Sequence, residues 1–224
     1  MTGIADGAID DASEPDATTV LSEMFDAALR QWIDPPLNSA GHWLVGRGLT
    51  ADQVTVAGFG IGLGATFSIA LGQFGLGLSL VLANRLADGL DGAVARATRP
   101  TDRGGFLDIA FDFVFYASIP LAFAIHDPGS NAMPAAVLLA SFLANGGVFF
   151  AFANVAVKRG LATSAQGFKS MYYVAGLAEG GETITVFCAF CLWPDAFAWI
   201  AYAFAAACAP SAAGRLLLGW RIFT

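Results

Sequence analysis

Beyond residue 50 the chain reads as long apolar runs broken by short polar connections, a pattern that predicts spanning helices rather than strands. Six such segments fall at roughly 54–72, 74–98, 105–126, 133–157, 169–192 and 196–219. Each is close to the roughly 20 apolar residues a helix needs to cross a bilayer. The pattern ahead of them is different. Residues 1–19 are polar and acidic and are expected to be a disordered tail. Over 20–34, Val20, Leu21, Met24, Phe25, Ala28, Leu29, Trp32 and Ile33 recur at helical spacing, while Ser22, Glu23, Asp26, Arg30 and Gln31 fill the other face. That predicts an amphipathic helix lying in the membrane interface, ended by Pro35-Pro36. The expected fold class is therefore all-α: a polytopic membrane protein with six transmembrane helices over 47–221, preceded by an interfacial helix.

Composition sharpens the picture. Hydrophobic residues make up 56% of the chain and charged residues 13%, whereas a soluble domain is about 45–50% apolar and about 25% charged. At 224 residues the spans leave no room for a separate soluble catalytic domain. No basic stretch suggests a nucleic-acid partner. The N-terminus has neither a basic n-region nor an apolar h-region, so the first span is expected to act as the insertion signal.

The net charge of −7 arises in the first 26 residues, which hold seven acids and no base; the remainder balances 11 acids against 11 bases. In a six-span arrangement Arg30, Arg47, Arg85, Arg96, Arg99, Arg103, Lys158, Arg159, Lys169, Arg215 and Arg221 all fall on one side. The positive-inside rule makes that side, and both termini, cytoplasmic, in an inner (plasma) membrane. Gly58, Gly60, Gly62 and Gly64 form two GxxxG pairs suited to close helix packing. Cys188 and Cys191 lie inside a predicted span with no second pair nearby and are read as packing residues.

Acids inside spans are costly and mark function by default. Asp88 and Asp91, at i,i+3 near the end of the second segment, share a helix face, as do Asp108 and Asp112, at i,i+4 near the start of the third. A short connection makes the two helices antiparallel neighbours, so the four carboxylates can converge. Four like charges at close range repel strongly. Arg85 and Arg96 cannot neutralise them alone, which calls for a divalent metal. All-oxygen ligation favours a hard ion such as Mg²⁺ or Mn²⁺, commonly shared with substrate phosphates. Phosphoryl or diphosphate chemistry follows. Gly89, Gly92, Ala95 and Gly104 keep the surrounding face small.

The run Asp88-Gly-Leu-Asp91-Gly92-Ala-Val-Ala95-Arg96, followed by Gly104, Asp108 and Asp112, resembles the signature DxxDGxxAR…GxxxDxxxD of the CDP-alcohol phosphatidyltransferases. The run Leu49-Thr50-Ala51-Asp52-Gln53-Val54-Thr55 is similar to that family's approach to its first span, and the resemblance extends over roughly 47–221. It implies transfer of a substituted phosphate from a CDP-alcohol, usually CDP-diacylglycerol, to an acceptor hydroxyl, with release of CMP. It further implies two Mg²⁺ or Mn²⁺ ions at a metal site of Asp88, Asp91, Asp108 and Asp112, with Asp112 also acting as general base. Asp88, Gly92, Ala95, Arg96 and Gly104 would line the CDP site, and a homodimer is expected.

The acceptor, a polar-headgroup alcohol, is less defined. Lys158, Arg159 and Lys169 share the aspartates' side and suit a phosphorylated acceptor, although the positive-inside rule also explains them. Glu179 and Glu182 suit a polyol or cationic acceptor, or pair with Arg85 or Arg215. Two other classes would use such acids: an intramembrane prenyltransferase binding a diphosphate, and a non-enzymatic divalent-cation transporter. A single compact motif across one helix pair argues against the first, and clustering of the acids at one face argues against the second.

Overall fold

The computed structural model describes residues 34–160 and 180–223. The interfacial helix expected over 20–34, the acidic tail, Lys169 and Glu179 lie outside the described residues or at their margin. Residues 34–45 are helical (α1), followed by Ala51–Ala70 (α2), Phe74–Ala97 (α3), Asp102–His126 (α4), Pro128–Lys158 (α5), Gly180–Leu192 (α6) and Phe197–Ile222 (α7). Among the described residues there is no strand. The protein is an all-α membrane protein. Among the described residues four helices, α2, α4, α5 and α7 with the 3₁₀ turn before it, are long and apolar enough to cross a membrane. α3 is 24 residues long but carries Arg85, Asp88, Asp91 and Arg96, and α6 is described over 13 residues.

Pro35 and Pro36 lie in the helix over 34–45, while the helix expected to end at them lies outside the described residues. One sequence expectation is corrected. The outer connection expected over 126–131 shrinks to Asp127, between the ends of α4 and α5. Asp127 caps α5 by accepting from the Ser130 amide at 3.2 Å. The Asn131 side chain, buried, donates to the Phe123 carbonyl at 3.1 Å. Hydrogen bonds from Ser130 hold the exposed Asp127 carboxyl below the ordinary carboxylate range. This cap is therefore complete above that range and lost as pH falls through the lowered value.

Local chemistry sets the helix starts at the opposite end. Thr50 opens α2 with a capping box, its hydroxyl accepting from the Gln53 amide while the Gln53 side chain accepts from the Thr50 amide. Thr101 opens α4, accepting from the Gly104 amide at 3.0 Å. Arg103 pairs with Asp52, which joins the first turns of α4 and α2.

α2 packs on both α3 and α4, so these three helices frame one end of the bundle. The core below them is aromatic: Phe115, Phe123, Phe187, Phe190 and Phe197 are fully buried, and Phe123 stacks on Phe197 with centroids 4.6 Å apart. Of the two GxxxG pairs only one makes close contacts. A Cβ at Gly58 would come within 2.9 Å of the Ala87 Cβ, and one at Gly62 within 2.8 Å of the Phe115 ring, whereas Gly60 faces open space. Gly62→Leu is therefore expected to force α2 off α4 and to lower the thermal unfolding temperature in detergent. The same change at Gly60 should leave it within about a degree or two, since surface changes are usually within about 0.5 kcal/mol.

Candidate active site

The second half of α3 and the first half of α4 face one cleft, and α2 packs on both helices. Between them lies a cleft of about 270 Å³, part of it open to solvent. One wall is acidic, formed by Asp88 and Asp91 from α3 and Asp108 and Asp112 from α4; Asn84 and Arg85 continue it, and Thr55, Gly58, Phe59 and Phe111 complete the lining. Phe59 and Phe111 stack face to face with centroids 4.2 Å apart. The arrangement follows from helix geometry: i,i+3 and i,i+4 spacings put each aspartate pair on one face, and both faces turn to the same side.

The structure brings three of the four carboxylates together. Asp88, Asp108 and Asp112 each present an oxygen, and these oxygens all lie within 4.8 Å of one another. Asp91 stands apart on the same cleft. It is buried, and the hydroxyl of Thr55 donates to its Oδ2 at 2.6 Å. Sequence reasoning gave Thr55 no role at the site, since the contact joins residues 36 apart in the chain. A hydroxyl near the start of a spanning helix, level with the acids, was the available signal.

Among the described residues, Arg85 is the cation that reaches the cluster. Its Nη2 donates to Asp112 Oδ1 at 2.8 Å, and its Nη1 lies 3.8 Å from Asp88 Oδ2. Arg96, the other expected cation, points elsewhere and donates to Asn38 Oδ1 at 3.3 Å. One guanidinium against four carboxylates leaves a strong excess of negative charge, held by oxygen donors at distances a small cation can bridge. The donor set thus fits a hard divalent ion. Gly92 and Gly104 sit where space is short. A Cβ at Gly92 would come within 3.2 Å of Arg96 Nη1, and one at Gly104 within 3.1 Å of Thr101 Oγ1 and 3.2 Å of Asp52 Oδ1. Of the residues expected to line a CDP site, Asp88 lines the cleft, whereas Gly92, Ala95, Arg96 and Gly104 are not among its lining.

The residues proposed for an acceptor are less gathered. Lys158 is exposed at the end of α5. Arg159 donates to the carbonyls of Ile222 and Phe223 at the end of α7, the cap a helix C-terminus favours. Glu182 is exposed in the first turn of α6. Arg215 donates through Nη1 to Asn145 at 2.8 Å.

Comparison with known proteins agrees with this geometry. Residues 49–210 match the family of CDP-alcohol phosphatidyltransferases. An inner membrane protein of Escherichia coli (strain K12), YnjF, is 43% identical over 185 residues, covering 83% of this chain and 90% of that one. An archaetidylinositol phosphate synthase of Methanothermobacter thermautotrophicus is 36% identical over 99 residues, 44% of this chain and 47% of that protein. The crystal structure of Mycobacterium tuberculosis phosphatidylinositol phosphate synthase with CDP-DAG bound shares the fold, with a TM-score of 0.63 at 22% identity, covering 82% of this chain and 93% of that one. Acids paired on two adjacent helices, all-α architecture and a match over most of the length define a membrane-embedded transferase of phospholipid synthesis. The chain belongs to the CDP-alcohol phosphatidyltransferase family.

Proposed function

We propose that the protein transfers a phosphatidyl group from CDP-diacylglycerol to a hydroxyl of a polar alcohol, releasing CMP, at the cytoplasmic face of the inner membrane. The observation that carries this reading is the cluster of Asp88, Asp108 and Asp112 oxygens within 4.8 Å, opening on a cleft at one end of the bundle. Asp88, Asp91 and Asp108 would hold two Mg²⁺ or Mn²⁺ ions. Such ions would neutralise charge on the diphosphate and polarise the reacting phosphorus, a contribution of several kcal/mol.

The chain's own residues do the rest. Asp112 accepts the proton of the acceptor hydroxyl as its oxygen forms a bond to the lipid-side phosphorus, and the bond from that phosphorus to the CMP oxygen breaks, CMP leaving with the electron pair. Asp112 suits this because its oxygen lies within 4.8 Å of those of Asp88 and Asp108, with Oδ1 fixed by Arg85. Thr55 holds Asp91 in place. Gly92, Ala95, Arg96 and Gly104 would leave room for the cytidine and its phosphate. Apolar helix surface around the cleft keeps the acyl chains in lipid. The bases on the aspartates' side, together with the E. coli relative's inner-membrane location, support the orientation. The resemblance in fold to a CDP-DAG-bound structure supports the donor. The acceptor class is a polyol or phosphorylated polyol, in keeping with the synthase names among the relatives.

The test is CMP release by the purified protein with CDP-diacylglycerol, Mn²⁺ or Mg²⁺, and a panel of polyol, sugar-phosphate and amine-bearing acceptors, with lipid products identified by mass spectrometry. The expected result is CMP release that depends on one acceptor and stops on chelation. No CMP with any acceptor, or release unaffected by chelation, contradicts the reading.

A further inference from the structure

The geometry points to Asn84 and Arg85 as positioning residues that single out Asp112 among the four aspartates and fix it for its work; this rests on the reading of Asp112 as the base. The aspartate motif does not include either residue. They lie one turn deeper on α3, and the structure ties them into a chain of contacts running from α2 to α4.

The chain starts at a carbonyl. Asn84, only 4% exposed, donates its amide to the Gly58 carbonyl at 2.8 Å. A carbonyl only accepts, so the amide nitrogen must face Gly58 and Oδ1 must face the other way. There it receives two donors from Arg85, Nε at 2.9 Å and Nη2 at 2.6 Å. The absence of a side chain at Gly58 is what lets α2 come close enough for this, since a Cβ there would sit 2.9 Å from Ala87 Cβ. The rings of Phe115 and Tyr116 cover the guanidinium at 5.0 and 5.6 Å.

Fixed in this way, the guanidinium is not free to pair with whichever carboxylate is nearest in sequence. Asp88, three residues along the same helix, is 3.8 Å away, while Asp112 on the neighbouring helix is bonded at 2.8 Å. General charge neutralisation would be served as well by Asp88. The anchored fork instead ties one oxygen of Asp112 and leaves the other for the acceptor hydroxyl. A lysine at 85 would supply the charge but not the planar fork that binds Asn84 and Asp112 together.

The test compares Arg85→Gln, Arg85→Lys and Asn84→Ala, alone and with Asp112→Asn, by CMP release from CDP-diacylglycerol. Arg85→Gln is expected to lower kcat about 10–100-fold, the usual effect of removing a group that orients a site residue. The donor KM and the Mn²⁺ concentration for half-maximal activity should stay within about twofold, as for a contact used only in the transition state. Arg85→Lys should recover only part of kcat, and Asn84→Ala should lower it in the same sense. With Asp112→Asn already present, Arg85→Gln should add less than about twofold, because residues acting as a unit are not additive.

A full Arg85→Gln defect in the Asp112→Asn background would overturn the inference, as would a raised donor KM with kcat kept or an unchanged kcat. Stabilisation by CDP against thermal unfolding must persist in Arg85→Gln; its loss would place Arg85 in the donor site or the fold and also overturn the inference. A wild-type protein that releases no CMP would sink the proposed function instead. An inactive Asp112→Asn beside a fully active Arg85→Gln would sink only the positioning role.

Discussion

Asp112→Asn is expected to lower kcat for CMP release by about 10²–10⁴-fold, the range a positioned general base supplies. The substitution is nearly isosteric. An amide oxygen at the place of Oδ1 can still accept from Arg85, now bonded to that atom at 2.8 Å. What disappears is a basic oxygen able to take the hydroxyl proton. Donor binding should survive, because Asp88, Asp91 and Asp108 remain; stabilisation by CDP against thermal unfolding, measured with Mn²⁺ present, is expected to match the wild type. A variant with near-normal kcat would remove Asp112 from its role. A variant that no longer responds to CDP would make it a binding residue.

Asp88→Asn and Asp108→Asn have a larger expected effect and an opposite sign on stability. Each removes one of the three carboxylates whose oxygens converge within 4.8 Å. The loss of several kcal/mol of metal stabilisation corresponds to about 10³-fold or more in kcat/KM. In metal-free buffer, however, the same changes relieve repulsion between like charges that only Arg85 approaches among the described residues. The metal-free variants should therefore unfold at the same temperature as the wild type or higher, and should lose the stabilisation that Mn²⁺ gives the wild type. Variants that unfold earlier without metal would mark these aspartates as structural instead.

The spacing of the aspartates and the small residues around them was legible in the sequence because helical periodicity alone places i, i+3 and i+4 on one face. The expected direct pairing of α3 with α4 is less close than a short connection suggests: the two meet across the cleft through Arg85 and Asp112, while α2 packs on both. The helices were legible for a similar reason: each of the six predicted apolar segments overlaps a described helix, four of which are long and apolar enough to cross a membrane, although hydropathy did not fix the ends. The polar residues between 126 and 131 read as a loop but mostly belong to α5. There local hydrogen bonding decides, and hydropathy does not register it.

Contacts across helices were not legible. That Asp91 is drawn aside by Thr55, that Arg85 prefers Asp112 to Asp88, and that Gly58 and Gly62 pack while Gly60 does not all depend on the rotation of one helix against another. One chain's sequence carries no direct record of that rotation. Polar side chains within apolar runs, Thr55 and Asn84 among them, were the available signal for the cleft's remaining wall, and it went unread.

The most direct test of the central claim is Mn²⁺ electron paramagnetic resonance on the purified protein, with and without CDP. The account predicts that the wild type binds Mn²⁺ and that CDP alters the bound-ion spectrum. It further predicts that Asp88→Asn and Asp108→Asn lose most bound Mn²⁺ while Asp112→Asn keeps the CDP response. Equal Mn²⁺ binding by the wild type and by Asp88→Asn with Asp108→Asn combined would contradict it.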